Sequence, residues 1–145
     1  MLIWKPIPEM TDEELCFTPA TELSRLIRDR LVSPVEVMKV TVERAQKLNT
    51  RLNAICTPTY DRAMAAARDA EAAVMRGAAL GHLHGIPTSI KDLAFTKGVR
   101  TMAGSHIFSS RVPDFDHVHV ARLRAAGAIF VGAPTWSSSP SVASA

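Results

Sequence analysis

The hydrophobic positions of the chain predict helices that alternate with short strands. A first amphipathic helix is expected to begin with Thr18 as N-cap and Pro19 as its first residue. A second helix is expected to run from the capping box of Ser33 and Glu36 to about Asn49. The apolar residues of both helices recur every three or four positions, the spacing of one buried face: Leu23, Leu26, Ile27 and Leu31, then Val35, Met38, Val42 and Ala45.

The rest of the pattern predicts three strands and two further helices. The strands are expected at 53–57, 86–91 and 128–132, where short apolar runs are bounded by proline or glycine. The helices are expected at 59–76 and at 116–127, the second with Asp116 as N-cap. This alternation is typical of an α/β layer fold. The first of these helices carries small residues on one face: Ala63, Ala67, Ala70 and Val74.

Three regions are expected along the chain. Residues 1–17 resemble an irregular leader, and residues 18–132 hold the periodic elements. Residues 133–145 form a Ser/Pro-rich tail, a composition typical of disorder. Because no helix or strand is predicted after residue 132, the periodic part is expected to be an incomplete domain.

Composition and charge narrow the possible function classes. The 145 residues are 47% hydrophobic and 21% charged, as in a soluble globular protein. No apolar run reaches the roughly 18 residues of a membrane span. The lack of a visible secretory signal and the presence of only two cysteines favour a cytoplasmic location. The net charge of +3 is spread over helices that also carry acidic residues, which argues against direct nucleic-acid binding.

The most specific chemical signal lies in residues 83–92, which read LHGIPTSIKD. This segment is predicted to be a buried strand that ends on Lys91. A buried lysine loses hydration, so its pKa falls and its neutral amine becomes available as a base near pH 7. The alternative is a structural ion pair at a strand end, which spacing alone favours.

The same segment resembles the Gly-Ile-Pro-x-x-x-Lys-Asp element of the amidase signature family. The resemblance implies a mixed sheet flanked by helices. It also implies an enzyme that hydrolyses small-molecule carboxylic amides, or transfers their ammonia, through an acyl-enzyme and without a metal or cofactor. It extends in order and spacing from about Ala20 to Gly132, with further landmarks at Glu22-Leu23, Ser33 to Val37, Leu48-Asn49, Leu52 to Ala54, Asp69-Ala70, Gly98 to Thr101, Gly104-Ser105 and Leu123 to Ala128.

By this resemblance, Lys91 is the lysine of a Ser–cis-Ser–Lys triad. It would accept the proton of the cis-serine hydroxyl and so relay the proton from the nucleophilic serine. Asp92 is expected to support the turn that follows the strand. Thr101, Gly104 and Ser105 match a family segment close to the site, where structural rather than chemical roles are expected.

The end of the sequence departs from the family pattern. Ala133 stands where family members carry a lysine, and the serines at 137–139 have no glycine neighbours that could form an oxyanion hole. Both triad serines are therefore expected to be missing, as a truncation or frame change would leave. Three interpretations stay open: an amidase whose sequence is cut short, a catalytically inactive fragment, or a binding module or A-subunit-like component of a tRNA-dependent amidotransferase. The substrate amide and the oligomeric state stay open as well.

Other candidate sites are weaker. The pairs His82/His84 and His117/His119 invite a zinc site, but a third ligand at the usual spacing is missing. Cys56 has no identifiable acid or base partner, so its use as a nucleophile is disfavoured.

Overall fold

A computed structural model of the chain describes Trp4 and residues 10–135. Within these residues the helices lie on both sides of a small mixed sheet. The elements in chain order are α1 (Asp12–Phe17), α2 (Ala20–Arg28), α3 (Pro34–Leu52), β1 (Ile55–Pro58), α4 (Tyr60–Met75), β2 (Pro87–Ser89), a 3-10 turn (His106–Phe108), α5 (Val118–Ala125) and β3 (Ile129–Pro134). The α/β class expected from the hydrophobic pattern is confirmed.

The first helix begins earlier in the chain than the predicted start at Thr18 and Pro19. Residues 12–17, expected to be irregular, form α1, which starts at a capping box between Thr11 and Glu14. Thr18 is the C-cap of α1 rather than the N-cap of the next helix, and Pro19 is the N-cap of α2. A six-residue helix that buries only Leu15 leaves little periodic signal to detect.

The two long helices follow their predicted signals closely. Ser33 and Glu36 form the expected capping box at the start of α3, with Pro34 in the first turn. The helix continues three residues past the expected end, to Leu52, because Asn53 closes it in the left-handed conformation at φ 44°. The small-residue face predicted for α4 is buried: Ala63, Ala67 and Ala70 pack in the cluster with α3 and β3, and Val74 packs in the cluster that holds Ile27.

The sheet has the strand order β1-β3-β2, so β3 is central among the described strands. β1 pairs antiparallel with β3, and β2 pairs parallel with β3. β3 extends to Pro134, two residues beyond the predicted end, and the Thr135 N–H donates to the Ala54 carbonyl at 2.7 Å. The ordered structure therefore continues past the predicted boundary at residue 132. The predicted disorder of the tail otherwise falls on residues 136–145, which lie outside the described residues.

The core is built in three apolar clusters that fix the sheet between the helices. One joins α1, α2 and α3 around the fully buried Ile27, and a second joins α3 and α4 to β3 around Met38. The third, which holds the loop after β2 against α5, consists of Ile90, Ala94 and Val120. None of the described helices is long and apolar enough to cross a membrane.

Candidate active site at the end of the parallel strand pair

Lys91 lies two residues after the end of β2 and is anchored to β3 through the backbone of its two neighbours. The Ile90 N–H donates to the Gly132 carbonyl at 3.2 Å, and the Asp92 N–H donates to the Pro134 carbonyl at 3.1 Å. The ladder to β3 therefore continues beyond β2, although the assigned strand is shorter than the predicted 86–91. These two bonds fix the backbone that carries the lysine.

The predicted burial of Lys91 is wrong, because its side chain is exposed in this chain. Ile90 and Asp92 are buried on either side of it. Since successive residues of an extended segment point to opposite sides, packing of these two directs Lys91 away from the core.

Asp92 ties the strand end to the loop that follows. Its side chain is only 4% exposed, and Oδ1 accepts a hydrogen bond from the Met102 N–H at 2.9 Å. Its carbonyl accepts another from the Ala103 N–H at 2.9 Å. Asp92 thus connects β3, the end of β2 and the turn at 101–105 through two backbone bonds and one side-chain bond.

The other expected near-site residues are arranged in that same turn. Thr101 is buried, its N–H donates to the Arg111 carbonyl at 3.1 Å, and its hydroxyl donates to the Val99 carbonyl at 3.2 Å. Gly104 has φ +70°, a backbone region that favours glycine. The Ser105 hydroxyl caps the 3-10 turn by accepting from the Ile107 N–H at 3.3 Å. Gly104 thus shapes the loop through its backbone conformation, and Thr101 and Ser105 do so through hydroxyl hydrogen bonds to backbone groups.

Cys56, which the sequence disfavoured as a nucleophile, and Arg100 also lie at this end of the sheet. Cys56 lies in β1, and its thiol donates to the Ala133 carbonyl at 3.2 Å. Arg100 reaches the same place and donates through Nη2 to the Cys56 carbonyl at 3.1 Å. Burial, followed by the negative charge of Asp92, raises the pKa of the Cys56 thiol. The thiol is therefore held in its neutral form, which disfavours a nucleophilic role.

The histidine pairs have structural partners. His84 Nε2 lies 3.0 Å from the Ala70 carbonyl, and His117 Nδ1 accepts from the Phe95 N–H at 3.3 Å. His117 is also the N-cap residue of α5 and stacks on the Phe95 ring at 4.6 Å. Among Trp4 and residues 10–135, no cluster of three or more His, Cys, Asp or Glu side chains is placed to hold a metal ion.

The chain is similar in sequence to amidases and to a subunit of an amidotransferase. The family model for amidases matches residues 36–143 of the chain. The amidase-family protein AmiD of Mycobacterium tuberculosis (strain H37Rv) is 38% identical over 125 residues, which cover 86% of this chain and 26% of AmiD. The A subunit of the glutamyl-tRNA(Gln) amidotransferase from Anaeromyxobacter sp. (strain K) is 40% identical, with 79% of this chain and 25% of that protein covered.

A solved structure agrees with these sequence relatives. The peptide amidase of Stenotrophomonas maltophilia superposes with a TM-score of 0.76 at 28% identity, over 81% of this chain and 24% of that structure. The chain thus spans about a quarter of the length of the relatives that it matches. The family match also includes residues 133–143, where the sequence had indicated an unrelated tail.

Proposed function

Because this chain belongs to the amidase family, we propose that it supplies the lysine base of an enzyme that hydrolyses carbon–nitrogen bonds of carboxylic amides. In this role Lys91 Nζ accepts a proton from the cis-serine hydroxyl of a Ser–cis-Ser–Lys triad. The cis-serine in turn accepts the proton of the nucleophilic serine as that serine attacks the amide carbonyl. The leaving amine then takes a proton back along the same path.

The observation that carries this proposal is the fixed backbone around Lys91. Hydrogen bonds from Ile90 and Asp92 to β3 hold the lysine at one register, and Asp92 secures the loop beyond it. A proton relay needs such a fixed position because its donor and acceptor atoms must stay within hydrogen-bond distance.

We further propose that Lys91 becomes a base only when more polypeptide covers it. A general base must be unprotonated near neutral pH, and burial under further polypeptide disfavours the charged form of an amine. The segment that follows Asp92 has exposed apolar side chains that further polypeptide would also cover. They are Leu93, Ile107, Phe115 and Val118, which are between 48% and 85% exposed.

A second candidate function is that of one component of an amidotransferase. It is favoured by the 40% identity to the A subunit of the glutamyl-tRNA(Gln) amidotransferase from Anaeromyxobacter. An enzyme of this kind would release ammonia from one amide for transfer to another acceptor, instead of discarding it. The same lysine chemistry would serve both functions, so the substrate distinguishes them.

A chimera tests the function and the substrate class together. Residues 1–135 of this chain would be joined to the part of AmiD that follows its matched segment. Ammonia release would then be measured with a peptide amide and with L-glutamine. Release from the peptide amide supports the hydrolase, and release from glutamine alone supports the amidotransferase branch. A folded chimera that releases ammonia from neither, beside an active AmiD, would contradict the proposal.

A further inference from the structure

An open cavity of about 340 Å³ lies where β3 begins. Its walls come from α4, the loop at 97–99, the end of α5 and residues 127–130. Because β2 and β3 are parallel, the start of β3 is at the opposite end of the strand pair from Lys91. Neither Lys91 nor Asp92 lines this cavity, so it is distinct from the candidate active site.

Three cationic side chains line the cavity, and only one of them forms an ion pair among the described residues. Arg124 is paired with Asp116, to which its Nε donates at 2.9 Å and its Nη2 at 3.1 Å. The other two, Arg62 and Lys97, form no ion pair with a carboxylate in the described part of the chain. Arg62 Nη1 donates to the Gly98 carbonyl at 2.8 Å, which brings the guanidinium to the loop that carries Lys97.

The one carboxylate in the cavity lining lies away from these cations. Asp69 follows Arg62 by seven residues on α4, which corresponds to about 10 Å along a helix that rises about 1.5 Å per residue. At that separation salt screens much of the attraction between exposed charges. Asp116 lies beside Lys97 but is paired with Arg124, so the end that carries Arg62 and Lys97 keeps a positive charge and the Asp69 end a negative one.

The wall of the cavity is apolar between the Arg62 end and the Asp69 end, and the Asp69 end itself is polar. Ala66, Val99, Ile129 and Phe130 form the apolar part. At the Asp69 end, His84 is fixed by its contact with the Ala70 carbonyl, which only accepts hydrogen bonds, so Nε2 carries the hydrogen. The cavity thus offers an anion-binding end, an apolar middle and an end that accepts or donates hydrogen bonds.

We propose that this cavity binds a small organic anion whose carboxylate or phosphate group is held by Arg62 and Lys97. Arginine presents several N–H groups in one plane, and lysine adds a mobile point charge, a combination suited to an oxyanion. The volume is at the lower end of the roughly 300–1,000 Å³ that ligand pockets occupy, which restricts the occupant to a small molecule. Its apolar body lies along Ala66 and Phe130.

The test uses inorganic phosphate and succinate as separate probes on the ¹⁵N-labelled 145-residue chain. Ionic strength is held constant with sodium chloride, because exposed charges respond to any salt. The expected result is a saturable chemical-shift change at the Gly98 amide and the Arg62 Nε–H with at least one probe. Saturation with phosphate alone assigns a phosphate ligand, and saturation with succinate alone assigns a carboxylate ligand. A linear response to both probes would overturn the proposal.

Variants locate the site. R62Q and K97Q are each expected to weaken Kd about tenfold, since each removes a charge-assisted hydrogen bond. R62K, which keeps the charge but loses the planar donor group, should be weakened less than R62Q. R68Q is the matched control, because Arg68 is exposed on the same helix and does not line the cavity. An unchanged Kd in K97Q, whose exposed side chain is not needed for folding, would overturn the proposal even if R62Q failed to fold.

Discussion

The buried carboxylate of Asp92 accepts a hydrogen bond of 2.9 Å from the backbone N–H of Met102. This bond joins the residue after the candidate catalytic lysine to the turn at 101–105. It makes that turn part of the same rigid unit as the strand end. We expect the position of Lys91 to depend on it.

Replacement of Asp92 by alanine should lower the free energy of unfolding by about 1–3 kcal/mol. The reason is that the Met102 N–H would lose its partner inside the protein. D92N should lose less, because its amide oxygen can still accept the bond. Urea unfolding at pH 7 measures both. D114A is the matched control, since Asp114 is exposed, and a change within about 0.5 kcal/mol is expected there. Equal stabilities of D92A and D114A would contradict this role.

Gly127 and Gly104 both have positive φ, but we expect replacement by alanine to lower the free energy of unfolding by different amounts at the two positions. Gly127 has φ +92°, and a Cβ there would lie 2.7 Å from the Cα of His84. Gly104 has φ +70°, and a Cβ there would meet nothing within 4 Å. G104A should therefore lose only the strain of a left-handed alanine, about 1–2 kcal/mol. G127A should lose at least about 1 kcal/mol more, because backbone must move.

Thermal or urea unfolding of the two glycine variants provides the comparison. Each serves as the control for the other, since both residues have positive φ. If G127A were as stable as G104A, the backbone of His84 could not lie as close to Gly127 as the structure places it.

We expect the ion pair between Asp116 and Arg124 to make a pH-dependent contribution to the free energy of unfolding. The hydrogen bonds from the Arg124 guanidinium are the main cause that lowers the pKa of the Asp116 carboxyl in the folded protein. A lowered pKa means that this stabilisation is fully present above the ordinary aspartate pKa of about 3.9. It is lost as the pH falls through the lower folded value.

A double-mutant cycle of D116N and R124Q measures this pair. The expected coupling is about 0.5–1 kcal/mol at pH 7, because Arg124 is half exposed and water weakens the pair. The coupling should fall as the pH is taken down through the lowered pKa of the Asp116 carboxyl. A coupling that is constant from pH 7 to pH 2 would show that the contact is not ionic.

The sequence was sufficient to predict those elements whose structure depends on contacts between residues close together in the chain. The start of α3 was predictable because Ser33 and Glu36 cap the helix within four residues of chain. The buried face of α4 was predictable because its small residues recur at helical spacing. The order of the amidase landmarks identified the family, which the match over residues 36–143 confirms.

The predictions were wrong where contacts between residues distant in the sequence determine the structure. Asp116 was predicted to cap α5, but its carboxylate instead accepts from the Lys97 N–H at 2.7 Å and pairs with Arg124. Lys91 was predicted to be buried because it ends an apolar run. Its exposure depends instead on which sides of Ile90 and Asp92 pack against the rest of the protein. Neither arrangement can be deduced from spacing along the chain.

The most direct test of the account is the rate at which a fluorophosphonate probe labels the AmiD chimera, with and without Lys91. The probe reacts with an activated serine, so its rate reports the proton relay without a known substrate. K91A should label at least about 100-fold more slowly, the usual contribution of a general base. K47A, which removes an exposed lysine of α3, should label as the parent does. Labelling of K91A at the parent rate would contradict the assignment of Lys91 as the base.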